Sequence, residues 1–137
     1  NTNFLIKDVD KIYYKNEVRI NKRARKAILK ADYIIICPGY FFSSVSPNFI
    51  VSGFKEVMSK SKAKIIAVEN LNNPEPKEYV RTLETYLGKK IDYLIRGKKN
   101  LISSEKIIID PADAVRRSVI RHDSLKLAKI IKKIIEN

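Results

Sequence analysis

Three short apolar runs limit this chain more than any other feature. Tyr33-Ile34-Ile35-Ile36-Cys37, Lys64-Ile65-Ile66-Ala67-Val68 and Asp92-Tyr93-Leu94-Ile95 are brief, rich in β-branched residues and almost free of interior polar positions. A strand with one wet face alternates apolar and polar residues; a continuous run of this length predicts a strand covered on both faces. Helical signals fill the gaps. Ser46-Pro47 offers an N-cap followed by a proline at the first helical position, and the spacing of Ile50, Phe54, Val57 and Met58 predicts a helix over 47–60. Asn73-Pro74 repeats the signal before a stripe of Val80, Leu83 and Leu87, and Gly88 follows as a C-terminal stop. A β-α-β-α-β order between residues 33 and 95 is satisfied most simply by parallel strands joined through helices. The expected fold class is therefore α/β, a Rossmann-like three-layer sandwich with a mainly parallel sheet.

The flanks extend this unit. Ile12-Tyr13-Tyr14 and Val18-Arg19-Ile20 read as strands or extended segments, and 22–30 as a basic helix. Lys106-Ile107-Ile108-Ile109 reads as a further strand. A last helix over 124–136 is expected to turn Leu127, Ile130, Ile131, Ile134 and Ile135 inward, with Asp123 or Ser124 as its cap. The stretches 100–105 and 110–123 read as the loosest parts. With 137 residues the expectation is a single domain over 1–137, and a start at Asn1-Thr2-Asn3 without Met points to the C-terminal portion of a longer protein. No apolar run is long enough to span a bilayer, so no membrane contact is expected. The lone Cys37 cannot form an internal disulfide, which fits a cytoplasmic chain; at the end of a strand it is expected to be a small buried hydrophobe.

Open parallel sheets bind ligands beyond the carboxyl ends of their strands. That rule selects 37–46, 69–73 and 96–100. Together these loops hold hydroxyls, amides, cations and a single carboxylate, Glu69. Such chemistry suits a small phosphate-bearing ligand, with serine hydroxyls and backbone N–H groups at a helix N-terminus meeting the anion. Each of these residues also has a bland role open to it: capping helices, filling the core, or lying in solvent. Tyr40, Phe41 and Phe42 either stack on a base or pack beneath their own loop. His122, the only histidine, reads as structural or solvent-facing, and one His with one Cys gives no metal site.

The segment Ala31-Asp32-Tyr33-Ile34-Ile35-Ile36-Cys37-Pro38-Gly39-Tyr40-Phe41-Phe42-Ser43-Ser44-Val45-Ser46-Pro47-Asn48 resembles the A-D-x-I-x-x-G-P-G-S-L-Y-T-S-x-x-P-N pattern of the YvcK/CofD-like family. Ala63 to Leu71, the pair Tyr86-Leu87-Gly88 and Ile91-Asp92-Tyr93, and Ile120-Arg121-His122-Asp123 with Leu127-Ala128 resemble later family segments in the same order. The family's Gly-rich nucleotide loop and its Asp-Asp-Gly-Gly stretch have no counterpart here. The first glycine of the G-P-G turn is Cys37, and the loop after the second strand is shortened to Asn72-Asn73-Pro74-Glu75-Pro76. The resemblance thus covers a C-terminal part, with an N-terminal half as the implied partner.

The resemblance implies a nucleotide or nucleotide-sugar cleft lined by Pro38, Gly39, Ser43, Ser44, Asn48, Asn70 and Arg121. The implied ligand is a nucleotide or a UDP-sugar, with no metal and no assigned catalytic residue. The implied role is that of a gluconeogenesis factor regulating carbon metabolism, cell-wall precursor supply or cell shape. The alternative is a phosphotransferase resembling 2-phospho-L-lactate transferase, using a guanosine nucleotide and a metal. A third reading starts from the charge: 28 Lys and Arg against 15 Asp and Glu leave a net +13. The cations are dispersed, and no nucleic-acid reading motif accompanies them, which argues against a nucleic-acid interface. A homo-oligomer is left open.

Overall fold

The computed structural model describes residues 9–71, 76–96, 108–109, 113–116 and 119–136. Helix α1 (Lys22–Lys30) leads into β1 (Tyr33–Ile36), followed by α2 (Phe54–Lys60), β2 (Lys64–Val68), α3 (Pro76–Leu87) and β3 (Tyr93–Ile95). Then come β4 (Ile108–Ile109), β5 (Asp113–Arg116), β6 (Val119–His122) and α4 (Ser124–Glu136). Strands β1 to β4 form one sheet in sequential order, and β1–β2, β2–β3 and β3–β4 all pair parallel. Ile35 lies opposite Ile66, and Ile66 opposite Tyr93. This is the expected α/β architecture.

Strand alternation sorts the side chains onto two faces. Ile34, Ile36, Ile65, Ala67 and Leu94 join a core with Phe54 and Met58 of α2 and Tyr79, Leu83 and Leu87 of α3. On the other face Tyr33, Ile66, Val68, Tyr93 and Ile95 pack against Leu127, Ile130, Ile131 and Ile134 of α4. The result is three layers. Ile65, Ile66 and Ala67 are fully out of water, so β2 matches the two-sided burial that its sequence predicts.

Several expectations are corrected. β1 is not fully covered on both faces: among the described residues it is the edge of the sheet, and Ile35 is 40% exposed. Cys37, one residue beyond it, is exposed as well, so it is no buried hydrophobe. The helix expected over 47–60 is broken. A π-helical turn at Phe41–Val45 and a 3-10 turn at Ser46–Asn48 precede Gly53, which adopts the left-handed φ of 86°, and only then does α2 begin. Phe49 stacks on Phe54 at 5.1 Å, and this aromatic pair draws the chain into a corner where the sequence pattern reads as continuous helix. Residues 12–20 form no described strand beyond a single bridge from Arg19 to Ser52. The supposedly loose 110–123 contains an antiparallel pair, β5 with β6. Ile135 is exposed rather than inward. The cap signal at Asn73-Pro74 lies outside the described residues, as do Lys106 and Ile107; Gly88 ends α3 with φ 69° as expected.

Replacing Ile66 by Asp would set an unpaired charge between two dry layers. Equilibrium denaturation should show a loss of about 4 kcal/mol or more, enough to prevent folding of a domain this size. A soluble Ile66→Asp chain with a cooperative transition would contradict the two-sided sheet.

Candidate functional site

The carboxyl ends of β1, β2 and β3 leave the sheet on the same side because the three strands are parallel. They deliver the 37–48 loop, Glu69-Asn70-Leu71 and Arg96 to one rim. His122 brings a fourth element there. Its Nε2 lies 2.7 Å from the Glu69 carbonyl oxygen and must donate to it, since a carbonyl only accepts. The end of β6 is thereby tied to the end of β2. Nδ1 of the same ring is buried without a hydrogen-bond partner.

The first loop is folded on itself. Phe41 is buried and meets Phe42, Tyr79 and Tyr86 edge-on at 5.0, 6.0 and 5.5 Å. Phe41 and Phe42 therefore pack beneath the loop, as one of the two sequence readings had it, while Tyr40 stays largely in solvent. A Cβ added at Gly39 would meet the Ser44 Cβ at 2.9 Å. Glycine is required here by the loop's own closure, because that distance is below contact for two carbons. Ser43 and Ser44 are exposed, with their hydroxyl oxygens 3.5 Å apart. Asn48 donates from its amide to the carbonyls of Ser44 and Val45, at 2.8 and 3.1 Å, and so holds the turn closed. Ser46 is no N-cap: it is completely buried and its hydroxyl has no partner.

Placed against the sequence expectation, Pro38, Gly39, Ser43, Ser44 and Asn48 share this loop, and Asn70 follows β2 on the same rim. Asn48 does not sit in the first turn of a long helix aimed at an anion. It belongs to a 3-10 turn, and the seven-residue α2 starts only at Phe54. No α-helix N-terminus therefore lies directly behind this turn, contrary to the expectation. Arg121 falls in β6, where its backbone pairs with Ala114; its side chain lies outside the described residues. Asp123 is the cap of α4, its Oδ1 accepting from the N–H groups of Leu125 and Lys126 at 3.0 Å each.

Residue typing found Glu69 and Arg96 but not their relation. Arg96 Nε donates to Glu69 Oε2 at 2.6 Å, with Nη2 3.5 Å from Oε1, and both side chains are essentially out of water. The single carboxylate of the three loops is thus neutralised within the molecule. The parallel pairing of β2 and β3 sets Val68 opposite Ile95, so the residue after each strand meets its counterpart. The signal was available: opposite charges in the first position beyond neighbouring buried strands. Burial and the Glu69 carboxylate together push the Tyr79 phenol above its ordinary range.

A family model described as 2-phospho-L-lactate transferase CofD matches residues 3–137. The chain belongs to the CofD family. Among curated relatives, a protein of Thermotoga maritima described as "Putative gluconeogenesis factor" is 34% identical over 80% of this chain and 46% of its own length. A protein of Lactococcus lactis with the same description is 31% identical over 52% of this chain and 24% of its own. The fold resembles the crystal structure of a member of the upf0052 family from Bacillus halodurans, with a TM-score of 0.64 and 19% identity over 82% of this chain and 47% of that one. The chain thus spans about half the length of the Thermotoga and Bacillus proteins.

Two measurements probe the site's internal electrostatics. Arg96→Met leaves Glu69 buried and charged, so urea unfolding should report a loss of about 3–5 kcal/mol, and adding Glu69→Gln should restore part of it. An unchanged midpoint would contradict the buried pair. The raised Tyr79 pKa gives stability that is fully present below pH 10, the ordinary tyrosine value, and is lost as pH climbs past it, because the unfolded chain ionises first. Tyr79→Phe should move the alkaline unfolding midpoint upward, read by circular dichroism. A midpoint that stays put or falls would remove this cause.

Proposed function

We propose that this chain supplies the C-terminal part of a nucleotide- or nucleotide-sugar-binding regulator of the gluconeogenesis-factor type. One observation supports the reading above the rest: four chain segments converge at the carboxyl end of a parallel sheet, and the most prominent of them offers two neighbouring hydroxyls at Ser43 and Ser44 above a closed turn. Open α/β sheets take ligands at this position. Hydroxyls and main-chain amides are the donors a phosphate needs when no helix N-terminus lies directly behind it. The ligand class is a phosphate ester, and a UDP-sugar is its most specific form. Pro38, Gly39, Ser43, Ser44, Asn48, Asn70 and Arg121 remain the residues assigned to it. Arg121 is kept by chemistry, because a guanidinium forks onto a diphosphate.

A second reading, phosphoryl transfer, is favoured by the description of the matching family model. It asks more of the rim. A metal-bound triphosphate needs oxygen ligands, and the carboxylate of the three loops is already engaged by Arg96. The residues described here do not fit a metal through those loops, and binding is the function they support best.

Calorimetric titration with UDP-glucose, GDP and a dinucleotide tests both readings. Ser43→Ala/Ser44→Ala should lose about 1.5–3 kcal/mol of affinity, the range for hydrogen bonds to a charged group. Its melting temperature should hold, since both side chains are exposed. Arg121→Ala should show a comparable loss, and Arg121→Lys should recover only part of it. Equal affinity in wild type and the serine double variant would remove the loop from the site.

A further inference from the structure

The sequence scatters its cations, but the fold gathers one group of them on α1. At the helical repeat Lys22, Lys26 and Lys30 fall in one row, with Arg23 beside it. All four are exposed. Ile28 lies on the opposite side of the helix and reaches the core. Arg25 turns toward α2 and pairs with Glu56 at 3.3 Å. α1 has no carboxylate, and Glu56, the one carboxylate of α2, is shared between Arg25 and Lys60. Among the described residues the row itself has no ion-pair partner. α3 carries no comparable excess, since Lys77 and Arg81 are matched there by Glu78 and Glu84.

This row points away from the sheet, because Ile28 on the other side of α1 is what meets the core. It also works against its own helix. Lys22 with Lys26, and Lys26 with Lys30, are like charges four residues apart, and such pairs weaken a helix. Four cations within about 12 Å of helix therefore carry a cost that nothing described inside the molecule offsets. An anionic surface laid against α1 would offset it.

The neighbouring side chains indicate which kind of surface. Leu29 stands next to the row and is 42% exposed, and Tyr13, in the segment leading into α1, is 78% exposed. Nucleic acid is read at base edges by amides and guanidinium groups; the row holds no Asn or Gln, and a polyphosphate backbone gains nothing from an exposed leucine. A lipid surface uses both kinds of residue. Lys and Arg meet anionic headgroups, while Leu and Tyr enter the boundary beneath them. We infer that α1 lays its outer face on an anionic lipid surface, with Lys22, Arg23, Lys26 and Lys30 on the headgroups and Leu29 below them. Contact of this kind needs no membrane-spanning helix, and among the described residues no helix is long and apolar enough to be one. It rests on α1 alone and is independent of the ligand reading.

Co-sedimentation with vesicles tests it. The chain should bind phosphatidylcholine vesicles containing about one-third phosphatidylglycerol, and not pure phosphatidylcholine. Lys22→Glu/Lys26→Glu should weaken binding at least 10-fold. Its urea midpoint should hold, since both side chains are exposed and acidic residues suit the start of a helix. Lys126→Glu/Lys129→Glu, the same change of net charge on the exposed side of α4, should weaken binding less than twofold. The chain contains no tryptophan, so Leu29→Trp supplies a single reporter; its emission should move to shorter wavelength with the anionic vesicles only. Four results would overturn the inference: no binding to the anionic vesicles, equal weakening by the two charge-reversed pairs, an unmoved emission from Leu29→Trp, or duplex DNA that displaces the vesicles through the same α1 cations. No arm contains a nucleotide sugar, so failure here leaves the binding reading standing, and failure of ligand binding leaves this one.

Discussion

The structure depends on keeping β2 dry on both faces. Ile65 and Ala67 need α2 and α3 above them, and Ile66 and Val68 need α4 below. Fully burying an aliphatic side chain is worth about 1.5–3 kcal/mol, and four consecutive buried positions concentrate that gain in one strand. The other elements are arranged around it. β1 and β3 pair with it in parallel, which requires the helical connections, and those helices form the upper layer. Parallel pairing in turn fixes which end of each strand exits where. The rim is therefore a consequence of burying β2, and its residues need not have come together for their own chemistry.

At the end of β2 the same burial meets charge. Glu69 continues the strand's direction into the protein interior and could not remain ionised there alone. Arg96, in the equivalent place after β3, satisfies it. The Glu69 carbonyl holds His122, so three segments distant in sequence are fastened at one residue. A pair of this kind adds little net stability against well-packed apolar residues, and its most defensible role is to fix an arrangement. Here it fixes how the ends of β2, β3 and β6 sit beside one another under the first loop. Part of the large positive charge is likewise used within the molecule. Lys89 donates to the carbonyls of Ser61 and Ala63, and Lys60 and Arg25 share Glu56, holding its carboxyl below the usual range.

Much of this was legible in the residues. Strand and helix order between 22 and 95, the stop at Gly88 and the span of the last helix follow from local rules and the structure agrees with each, while the cap, left open between Asp123 and Ser124, falls to Asp123. What escaped was set by contacts distant in sequence. Nothing in Tyr33–Ile36 distinguishes an edge from an interior strand, because edge status depends on what lies beside it. The run from Ser46 to Lys60 carries helical spacing throughout, yet stacking of Phe49 on Phe54 and the left-handed Gly53 break it. Buried-strand logic made Cys37 apolar and hidden, but the strand ends one residue earlier. The β5–β6 pair was missed because Asp113–Arg116 and Val119–His122 mix charges with apolar residues and show no clean alternation. For the site, parallel pairing brings the described parts of the three loops to one rim, while the Glu69–Arg96 pair required knowing which strands are neighbours.

The central claim is that the rim formed by the parallel strand ends is the ligand surface, with the 37–48 loop at its centre. Amide chemical-shift mapping of the isotopically labelled chain during titration with UDP-glucose addresses it most directly, since it reports every position at once. The largest shifts should fall between Gly39 and Val45 and at Asn70, with smaller ones at His122 through its hold on Glu69. Shifts confined to the scattered lysines, or absent from 39–45 at saturating ligand, would contradict it.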